Sequence, residues 1–339
     1  MRYKLLGKSG LRVSEMALGT MTFGDTWGWG ASKEESQKIF NGYAEAGGNF
    51  IDTANRYTEG TSEHYVGDFI AADRDHFVLA TKYTLFDRRN DPNASGNHRK
   101  NMIRSLEASL KRLKTDYIDV FWVHAWDFMT PVEEVMQGLD NLVRAGKVLY
   151  VGISDTPAWI VSQANTLAAL RGWTPFIGLQ IQYSLIERTP ERDLLPMARA
   201  FGMSVTAWGA LGSGVLTGKY NQPDQDAQGR AAMWGAIEPH KLTIAQAVVD
   251  IAETIDCTPS QVALSWVRQQ SGSMIPLIGA RNVAQLEDNL GCLNVTLTDE
   301  QLSLLNEVSR IELGFPHDFL TSQGVKDVIY GGTLAQIDA

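Results

Sequence analysis

The chain has 339 residues, of which 44% are hydrophobic and 20% are charged, a composition typical of a globular protein. Its 30 Lys and Arg against 39 Asp and Glu give a formal net charge of −9, which argues against binding to nucleic acid or to an anionic membrane surface. Two cysteines, Cys257 and Cys292, are too few for a disulfide framework or a multi-cysteine metal site. We therefore expect a protein that acts on small molecules.

The predicted elements begin with RYKLLGKSGLRVS, a hairpin about a Lys-Ser-Gly turn, after which apolar runs alternate with helical patterns. The runs that predict barrel strands are EMALGT, NFIDTA, HFVLATK, DYIDVFWVH, KVLYVGIS, FIGLQIQYS, MSVTAW and SMIPLIG. Helices are predicted at about 32–46, 61–71, 98–114, 131–144, 157–170, 190–201, 240–255 and 259–269, and from about 282. Ser32 and Glu35 predict a capping box for the first helix. The third helix carries an apolar stripe of Ile103, Leu106, Leu110 and Leu113.

Eight strand–helix units predict a closed (β/α)8 TIM barrel with parallel strands and crossover helices. An open doubly wound sheet is the alternative, but no G-x-G-x-x-G follows the first barrel strand. An insert from about 219 to 269 and a tail from about 298 to 339 fall outside the eight units. Because no Pro/Gly/Ser-rich linker divides the chain, residues 1–339 are expected to form one domain. No signal segment or membrane-spanning run is visible in the sequence, so we expect a cytoplasmic protein.

Ionisable residues close three consecutive predicted strands, at the end of the barrel where active sites of this fold lie. These are Asp52, Lys82 and His124, and Tyr57 follows Asp52 by five residues. A lysine ammonium favours the ionised phenol, so the pKa of Tyr57 is expected to fall from about 10, and an aspartate would hold the lysine charged. The group predicts a tyrosine that protonates a developing alkoxide while His124 binds the same oxygen. Since no side chain supplies hydride, a nicotinamide cofactor is implied.

Further motifs accompany these residues, including NFIDTANRYTEGTSEHYVG, SLKRLKTDYIDVFWVH, GALGSGVLTGKY and IPLIGARNVAQLEDNL. Through these motifs and the four ionisable residues, the chain resembles the aldo-keto reductase superfamily over almost its full length. It looks most like the branch of bacterial reductases, aryl-alcohol dehydrogenases and potassium-channel β subunits. The resemblance implies that Tyr57 is the proton donor, that Lys82 and Asp52 tune it, and that His124 orients the substrate carbonyl.

The resemblance also implies an extended NADP(H) across the strand ends. The residues implied to bind it are Thr20, Met21, Asp52, Ser154, Asp155, Gln180, Trp208, Gly209, Ala210, Leu211, Gly212, Ser213, Lys219, Arg230, Gly279, Arg281, Gln285, Asp288 and Asn289. Among these, Ser154 and Gln180 would hold the nicotinamide carboxamide, Trp208 would stack on the ring, and Arg281 would face the 2′-phosphate. The stretch GARNVAQLEDN agrees physically, because a helix start beside an arginine binds phosphate. Asp155 departs from the family, many members of which have asparagine there.

Aromatic residues at the predicted barrel mouth indicate an apolar wall for an aromatic or bulky substrate. The residues predicted to bind substrate are Trp27, Tyr57, Phe86, His124 and Trp126. Trp29 and Trp122 are placed near the same mouth by their sequence positions. The tail is expected to fold over the mouth and to shape the pocket with Phe315, Phe319 and Tyr330.

The sequence thus predicts an NADP(H)-dependent reductase of aldehydes and ketones, or an alcohol dehydrogenase, without a metal. One alternative is a nicotinamide-binding regulatory subunit of a partner protein, which the complete set of four ionisable residues disfavours. Another is an aldolase that uses Lys82 as a Schiff base, which Tyr57 and the GARNVAQLEDN stretch disfavour. The natural substrate, the preferred direction and the oligomeric state stay open, and an oligomer is compatible with the sequence.

Overall fold

A computed structural model describes residues 1–221 and 236–338 of the chain. The strands in these ranges are β1 (Tyr3–Leu5), β2 (Arg12–Ser14), β3 (Ala17–Gly19), β4 (Phe50–Asp52), β5 (Val78–Tyr83), β6 (Ile118–Val123), β7 (Val148–Ser154), β8 (Phe176–Gln182), β9 (Ser204–Trp208) and β10 (Met274–Ile278). The helices are α1 (Lys33–Glu45), α2 (Thr61–Ile70), α3 (Arg99–Leu113), α4 (Val132–Arg144), α5 (Ala158–Arg171), α6 (Leu194–Phe201), α7 (Pro239–Thr254), α8 (Pro259–Arg268), α9 (Val283–Gly291), α10 (Asp299–Val308), α11 (His317–Thr321) and α12 (Gln323–Tyr330).

Strands β3 to β10 form a closed barrel of eight parallel strands, in the order β10-β3-β4-β5-β6-β7-β8-β9. The barrel closes where Ala17 and Leu18 of β3 pair with Leu277 and Ile278 of β10. Strands β5 and β6 are buried at every residue, because the barrel interior covers one face and the helices cover the other. The predicted (β/α)8 barrel is confirmed, and the open sheet is excluded.

The β1–β2 hairpin covers the amino-terminal end of the barrel. The backbone N–H of Gly7 donates to Ser204 Oγ at 2.7 Å, and Lys4 Nζ donates to the carbonyl of Met274 at 2.7 Å. Ser204 and Met274 are the first residues of β9 and β10, so both contacts lie at this end. Leu6 from the hairpin joins the apolar cluster of the barrel interior. The carboxyl ends of the strands therefore face away from the hairpin.

The barrel interior is filled around the indole of Trp122, which is fully buried. A Cβ on Gly152 would lie 2.2 Å from this indole, and a Cβ on Gly178 would lie 2.8 Å from it. The two glycines belong to the adjacent strands β7 and β8, so the absence of their side chains provides the space for the ring. The structure thus places Trp122 inside the barrel and not at its mouth. Its register partner on β5 is Lys82.

The surrounding helices follow the predicted pattern with one error on α3. Leu106, Leu110 and Leu113 are buried as the apolar stripe predicts, but Ile103 is 43% exposed. Met102 is fully buried in its place, because positions 102, 106, 110 and 113 share one face of a helix with 3.6 residues per turn. The prediction that Ile103 belongs to the buried stripe was wrong.

The carboxyl-terminal tail begins with α10, which packs on the barrel, where Trp266 Nε1 donates to Asn306 Oδ1 at 3.0 Å. The later aromatic residues are exposed, at 84% for Phe315 and 54% for Phe319. No described residue of the tail lines the cavity at the carboxyl ends of the barrel strands, so the tail's position over the barrel mouth stays a prediction. Among the described helices, none is long and apolar enough to cross a membrane.

Candidate active site

A cavity of about 780 Å³ lies at the carboxyl ends of the barrel strands. Its volume falls in the range of pockets that hold small molecules and cofactors. The predicted site residues that line it are Met21, Trp27, Tyr57, His124, Ser154, Asp155, Gln180, Trp208, Gly209, Ala210, Leu211, Ser213, Lys219, Gly279, Arg281, Gln285, Asp288 and Asn289. The structure thus brings most of the predicted cofactor residues to one cavity.

Lys82 connects the ionisable residues of this site. Its ammonium group forms an ion pair with Asp52, and both side chains are fully buried. The same nitrogen donates to the carbonyl of Thr53 at 2.9 Å and to Tyr57 Oη at 3.1 Å. The second oxygen of Asp52 accepts a hydrogen bond from Gln180 Nε2 at 3.0 Å. Both carboxylate oxygens of Asp52 therefore have a donor.

Strand register explains how residues so far apart in sequence meet. Asp52 pairs with Ala80, and Lys82 lies two residues beyond on the same inward face of β5. Lys82 pairs in turn with Trp122, and His124 lies two residues beyond Trp122. The parallel strands therefore place these side chains on the inside of the barrel at its carboxyl end.

Tyr57 reaches this group through a tight turn after β4. Thr58 and Glu59 adopt left-handed backbone conformations, with φ of 47° and 58°. The side chain of Thr58 fixes the turn, because its Oγ1 donates to the carbonyl of Phe23 at 2.7 Å. The ring of Tyr57 lies 5.9 Å from that of His124 in an edge-to-face arrangement. A locally strained backbone at a site of this kind is a common feature of functional residues.

The electrostatics differ from the sequence expectation at Tyr57. Burial raises the pKa of Tyr57, and the positive charge of Lys82 offsets this effect only in part, so the net direction is upward. The predicted lowering of this pKa was wrong. Removing a phenolate from water destabilises it by more than the charge of Lys82 stabilises it, and the negative charge of Asp52 opposes the effect of that lysine. Burial, the largest single effect, would lower the pKa of Lys82, but the charges and hydrogen bonds of Asp52 and Tyr57 together outweigh it and raise that pKa.

His124 is held in its neutral form. Burial and, secondarily, the charge of Lys82 lower the pKa of His124 well below its usual value of 6.5. Its Nδ1 atom is buried without a hydrogen-bond partner among the described residues. A neutral imidazole carries one N–H donor, so His124 can donate a hydrogen bond to an oxygen in the cavity. The site thus combines a protonated phenol, a charged lysine and a neutral imidazole.

The loop after β9 forms one end of the cavity and places a lysine there. Gly212, Ser213 and Gly214 follow one another with left-handed φ of 56°, 56° and 93°. The N–H groups of Gly212 and Gly214 donate within the loop, to the carbonyls of Gly209 at 2.7 Å and Leu211 at 2.9 Å. The Nζ atom of Lys219 lies 3.5 Å from the position that a Cβ on Gly214 would take. The ammonium group of Lys219 therefore fits a pyrophosphate group at this end of the cavity.

A second anion site lies at the amino-terminal end of α9. Asn282 caps this helix, since its Oδ1 accepts a hydrogen bond from the N–H of Gln285 at 2.9 Å. The side chain of Gln285 in turn accepts from the N–H of Arg281 at 2.9 Å. The carboxylate of Glu35 already accepts the N–H of Val283, the first residue of α9, at 3.1 Å, so the guanidinium of Arg281 is the group here that is suited to a phosphate. The residues present therefore fit the phosphates of a nicotinamide dinucleotide.

Several predicted residues lie outside the cavity lining. Thr20 is buried beneath it, where its Oγ1 donates to the carbonyl of Asp52 at 3.0 Å, and Gly212 lies within the loop after β9. Trp126 packs into the core with 9% of its surface exposed. Phe86 lines a separate depression, and its ring lies 4.2 Å from the guanidinium of Arg56. Arg230 falls outside the described residues.

The cavity also contains residues that the sequence prediction missed. Arg56 and Gln182 are both part of the lining. Two signals were available, because Arg56 immediately precedes Tyr57, and Gln182 lies two residues after Gln180 on the same strand. Arg56 is also paired with Glu59, whose carboxylate accepts a hydrogen bond from Trp27 Nε1 at 3.3 Å. These contacts order the wall of the cavity next to Tyr57.

A barrel with this site has the architecture of a nicotinamide-dependent oxidoreductase. A model of the aldo/keto reductase family matches residues 15–310, and the chain belongs to that family. A norsolorinic acid reductase of Emericella nidulans is 41% identical over 92% of this chain and 82% of its own length. A putative aryl-alcohol dehydrogenase of Saccharomyces cerevisiae is 37% identical over 94% and 89%, respectively. An NADP(+) aryl-alcohol dehydrogenase of Phanerodontia chrysosporium is 38% identical over 91% and 86%.

Proposed function

We propose that the protein reduces aldehydes or ketones to alcohols with NADPH, or catalyses the reverse reaction, and that Tyr57 is the proton donor. The observation that carries this proposal is the contact of Tyr57 Oη with Lys82 Nζ at 3.1 Å, above the buried Lys82–Asp52 ion pair. A phenol in this position faces a fixed positive charge and lines a cavity large enough for cofactor and substrate. Membership of the aldo/keto reductase family supports the reaction class.

NADPH supplies a hydride to the substrate carbonyl carbon when it is bound. Tyr57 remains a neutral phenol near pH 7, since its pKa is raised, and therefore holds the proton that the carbonyl oxygen requires. When Tyr57 gives up this proton, its phenolate faces the ammonium of Lys82, which stabilises the new negative charge. The neutral His124 donates a hydrogen bond to the same substrate oxygen and orients the carbonyl.

The preference for NADP(H) rests on two cations. Lys219 lies at the loop after β9, and Arg281 lies at the amino-terminal end of α9; both line the cavity. A dinucleotide with a 2′-phosphate has one more anionic group for such a surface than NAD(H) has. The fungal relative named as an NADP(+) enzyme supports the same assignment.

The substrate is proposed to be an aromatic aldehyde, ketone or alcohol. Trp27 lines the same cavity as Tyr57, and its ring lies 5.7 Å from that of Trp29. Aromatic walls of this kind bind flat apolar rings by burial and by ring stacking. Relatives named as aryl-alcohol dehydrogenases support this substrate class.

The test is NADPH oxidation with a nitrobenzaldehyde, with NADH in a parallel assay, for the wild type and for Tyr57→Phe. We expect turnover with NADPH, little turnover with NADH, and loss of turnover in Tyr57→Phe with nearly unchanged NADPH affinity. Tyr65→Phe on the outer helix α2 is the matched control and should keep wild-type activity. NADPH binding without any turnover would favour a regulatory role. Equal loss of binding and turnover in Tyr57→Phe would refute the proton-donor role.

A further inference from the structure

Asp155 is an acidic residue of the cavity lining that is exposed to solvent in the structure and is held by the backbone and by a neighbouring indole. It follows the last residue of β7 and has a left-handed φ of 40°. Its N–H donates to the carbonyl of Gln180 at 3.3 Å, and its Oδ1 accepts a hydrogen bond from Trp208 Nε1 at 3.2 Å. The carboxylate therefore has a defined place beside Ser154 and Trp208, at the end of the cavity that holds Tyr57.

The other charged groups at this end compensate one another. Lys82 pairs with Asp52, and Arg56 pairs with Glu59. Asp155 forms no ion pair with any residue that the structure describes. Its hydrogen-bond donor Trp208 is neutral. Partial removal from water raises the pKa of Asp155, and the indole hydrogen bond and the charge of Lys82 offset this only in part, so the net direction is upward. This end of the cavity therefore carries one negative charge without its own counter-charge.

The opposite end of the cavity carries the reverse charge. Lys219 stands beside the loop formed by Gly212 to Gly214, and Arg281 lies at the start of α9. From one end of the cavity to the other, the fixed charge thus changes from negative at Asp155 to net positive at the far end, where Lys219 and Arg281 outnumber the lining carboxylate Asp288. An oxidised nicotinamide dinucleotide has the complementary order, a cationic ring followed by anionic phosphates. The reduced form has a neutral ring.

We propose that Asp155 distinguishes the two oxidation states of the cofactor and selectively strengthens binding of NADP⁺. The proposal rests on the proposed function, because it requires the nicotinamide ring at the Tyr57 end of the cavity. A fixed carboxylate attracts a nearby cation, and the attraction is stronger where protein replaces water. The neutral ring of NADPH gains nothing from it. Asp155 thereby favours carbonyl reduction at the site, which turns a neutral ring into a cation, and retains NADP⁺ afterwards.

The role adds no chemical step to the reaction. A bound NADPH would supply the hydride to the carbonyl carbon and would itself be oxidised, and the oxygen of the reduced carbonyl would take its proton from Tyr57. Asp155 stays a carboxylate throughout and acts only through its charge. The competing explanation is that Asp155 merely orients the indole of Trp208 through their hydrogen bond.

The variant Asp155→Asn separates these two explanations. Asparagine keeps an oxygen that accepts the N–H of Trp208, but it removes the charge. Isothermal titration calorimetry at pH 7 would give the dissociation constants of NADP⁺ and NADPH for wild type and variant. We expect the ratio of Kd for NADP⁺ to Kd for NADPH to rise about tenfold in Asp155→Asn, which corresponds to about 1.4 kcal/mol. The increase should come from weaker NADP⁺ binding.

The matched control is Asp288→Asn. Asp288 is the other carboxylate among the described lining residues, and it lies at the α9 end, where Thr258 Oγ1 donates to it at 2.6 Å. Its removal should change both dissociation constants by the same factor and leave their ratio unchanged. Asp155→Ala, which removes charge and acceptor together, should raise the ratio at least as much as Asp155→Asn.

The outcomes separate the inference from the proposed function. If both cofactors bind but Asp155→Asn leaves the ratio unchanged, the inference is overturned and the proposed function stands. A ratio that moves only in Asp155→Ala would mean that Asp155 positions Trp208, which also overturns the charge role. If Asp288→Asn shifted the ratio of the two dissociation constants as much as Asp155→Asn does, the inference that the effect depends on a carboxylate at the Tyr57 end of the cavity would be refuted. If the wild type binds neither cofactor, the proposed function fails, and the inference fails with it.

Discussion

The buried ion pair of Lys82 and Asp52 gives the sharpest test of the site's energetics. In Lys82→Met the volume of the side chain is nearly conserved, but the ammonium group is removed. Asp52 would then be fully buried with the amide of Gln180 as its remaining side-chain donor. Leaving one charge of a buried pair uncompensated costs about 3–5 kcal/mol, so the free energy of unfolding should fall by about that amount.

The double variant Lys82→Met with Asp52→Asn tests the cause of this loss. Both charges are then absent, and the asparagine oxygen can still accept the hydrogen bond from Gln180. We expect the double variant to be more stable than Lys82→Met alone by about 2 kcal/mol or more, because no charge is left buried without a partner. Lys33→Met is the surface control, because Lys33 pairs with Asp68 on the exterior, and it should cost at most about 1 kcal/mol.

Urea unfolding at pH 7, followed by circular dichroism and by tryptophan fluorescence, would measure these differences. The reasoning would be refuted if Lys82→Met lost no more stability than the surface control. The single variant Asp52→Asn would be measured as well. The reasoning would also be refuted if the double variant lost as much stability as Lys82→Met and Asp52→Asn lose in sum, because the two charges would then act independently.

Two further predictions concern stability. Gly152→Ala should lower the free energy of unfolding by about 1–3 kcal/mol in the same urea assay, because its Cβ would lie 2.2 Å from the ring of Trp122. Gly324→Ala is the control and should cause no measurable loss, because a Cβ there would meet nothing within 4 Å. The pKa of His124 in the folded state lies well below 6.5. Its contribution to the free energy of unfolding is therefore complete above pH 6.5 and is lost as the pH falls, by at most about 1.4 kcal/mol per pH unit. His124→Asn should therefore show a shallower loss of stability than wild type between pH 6.5 and 5, and parallel curves would contradict the neutral buried imidazole.

The parts of the fold and the site that the sequence predicted are those fixed by local pattern. Asp52, Lys82 and His124 each follow a buried apolar run, and the register of parallel strands carries such strand ends to one edge. The helix start at Asn282 beside Arg281 is likewise determined by a few adjacent residues. Once eight strand–helix units are counted, these positions follow from the geometry of a closed barrel.

The differences from the sequence expectation come from features that depend on distant contacts. The substrate-wall roles of Phe86 and Trp126 stay predictions, and the structure places Phe86 against Arg56 and Trp126 in the core, outside the lining of the cavity. The pKa of Tyr57 depends on how much water its surroundings exclude, which no local motif specifies. The hydrogen bond from Gln180 to Asp52 joins residues that are 128 positions apart.

The space that Gly152 and Gly178 leave for Trp122 has a consequence for how this chain can change over evolutionary time. A larger residue at either glycine is compatible with the barrel only if position 122 becomes smaller, and a smaller residue at 122 leaves a void beneath Lys82 unless a glycine is replaced as well. Single replacements at these positions would therefore be rejected while paired ones are accepted. Positions 122, 152 and 178 should covary among relatives, and a bulkier residue at 152 should accompany a loss of the indole at 122.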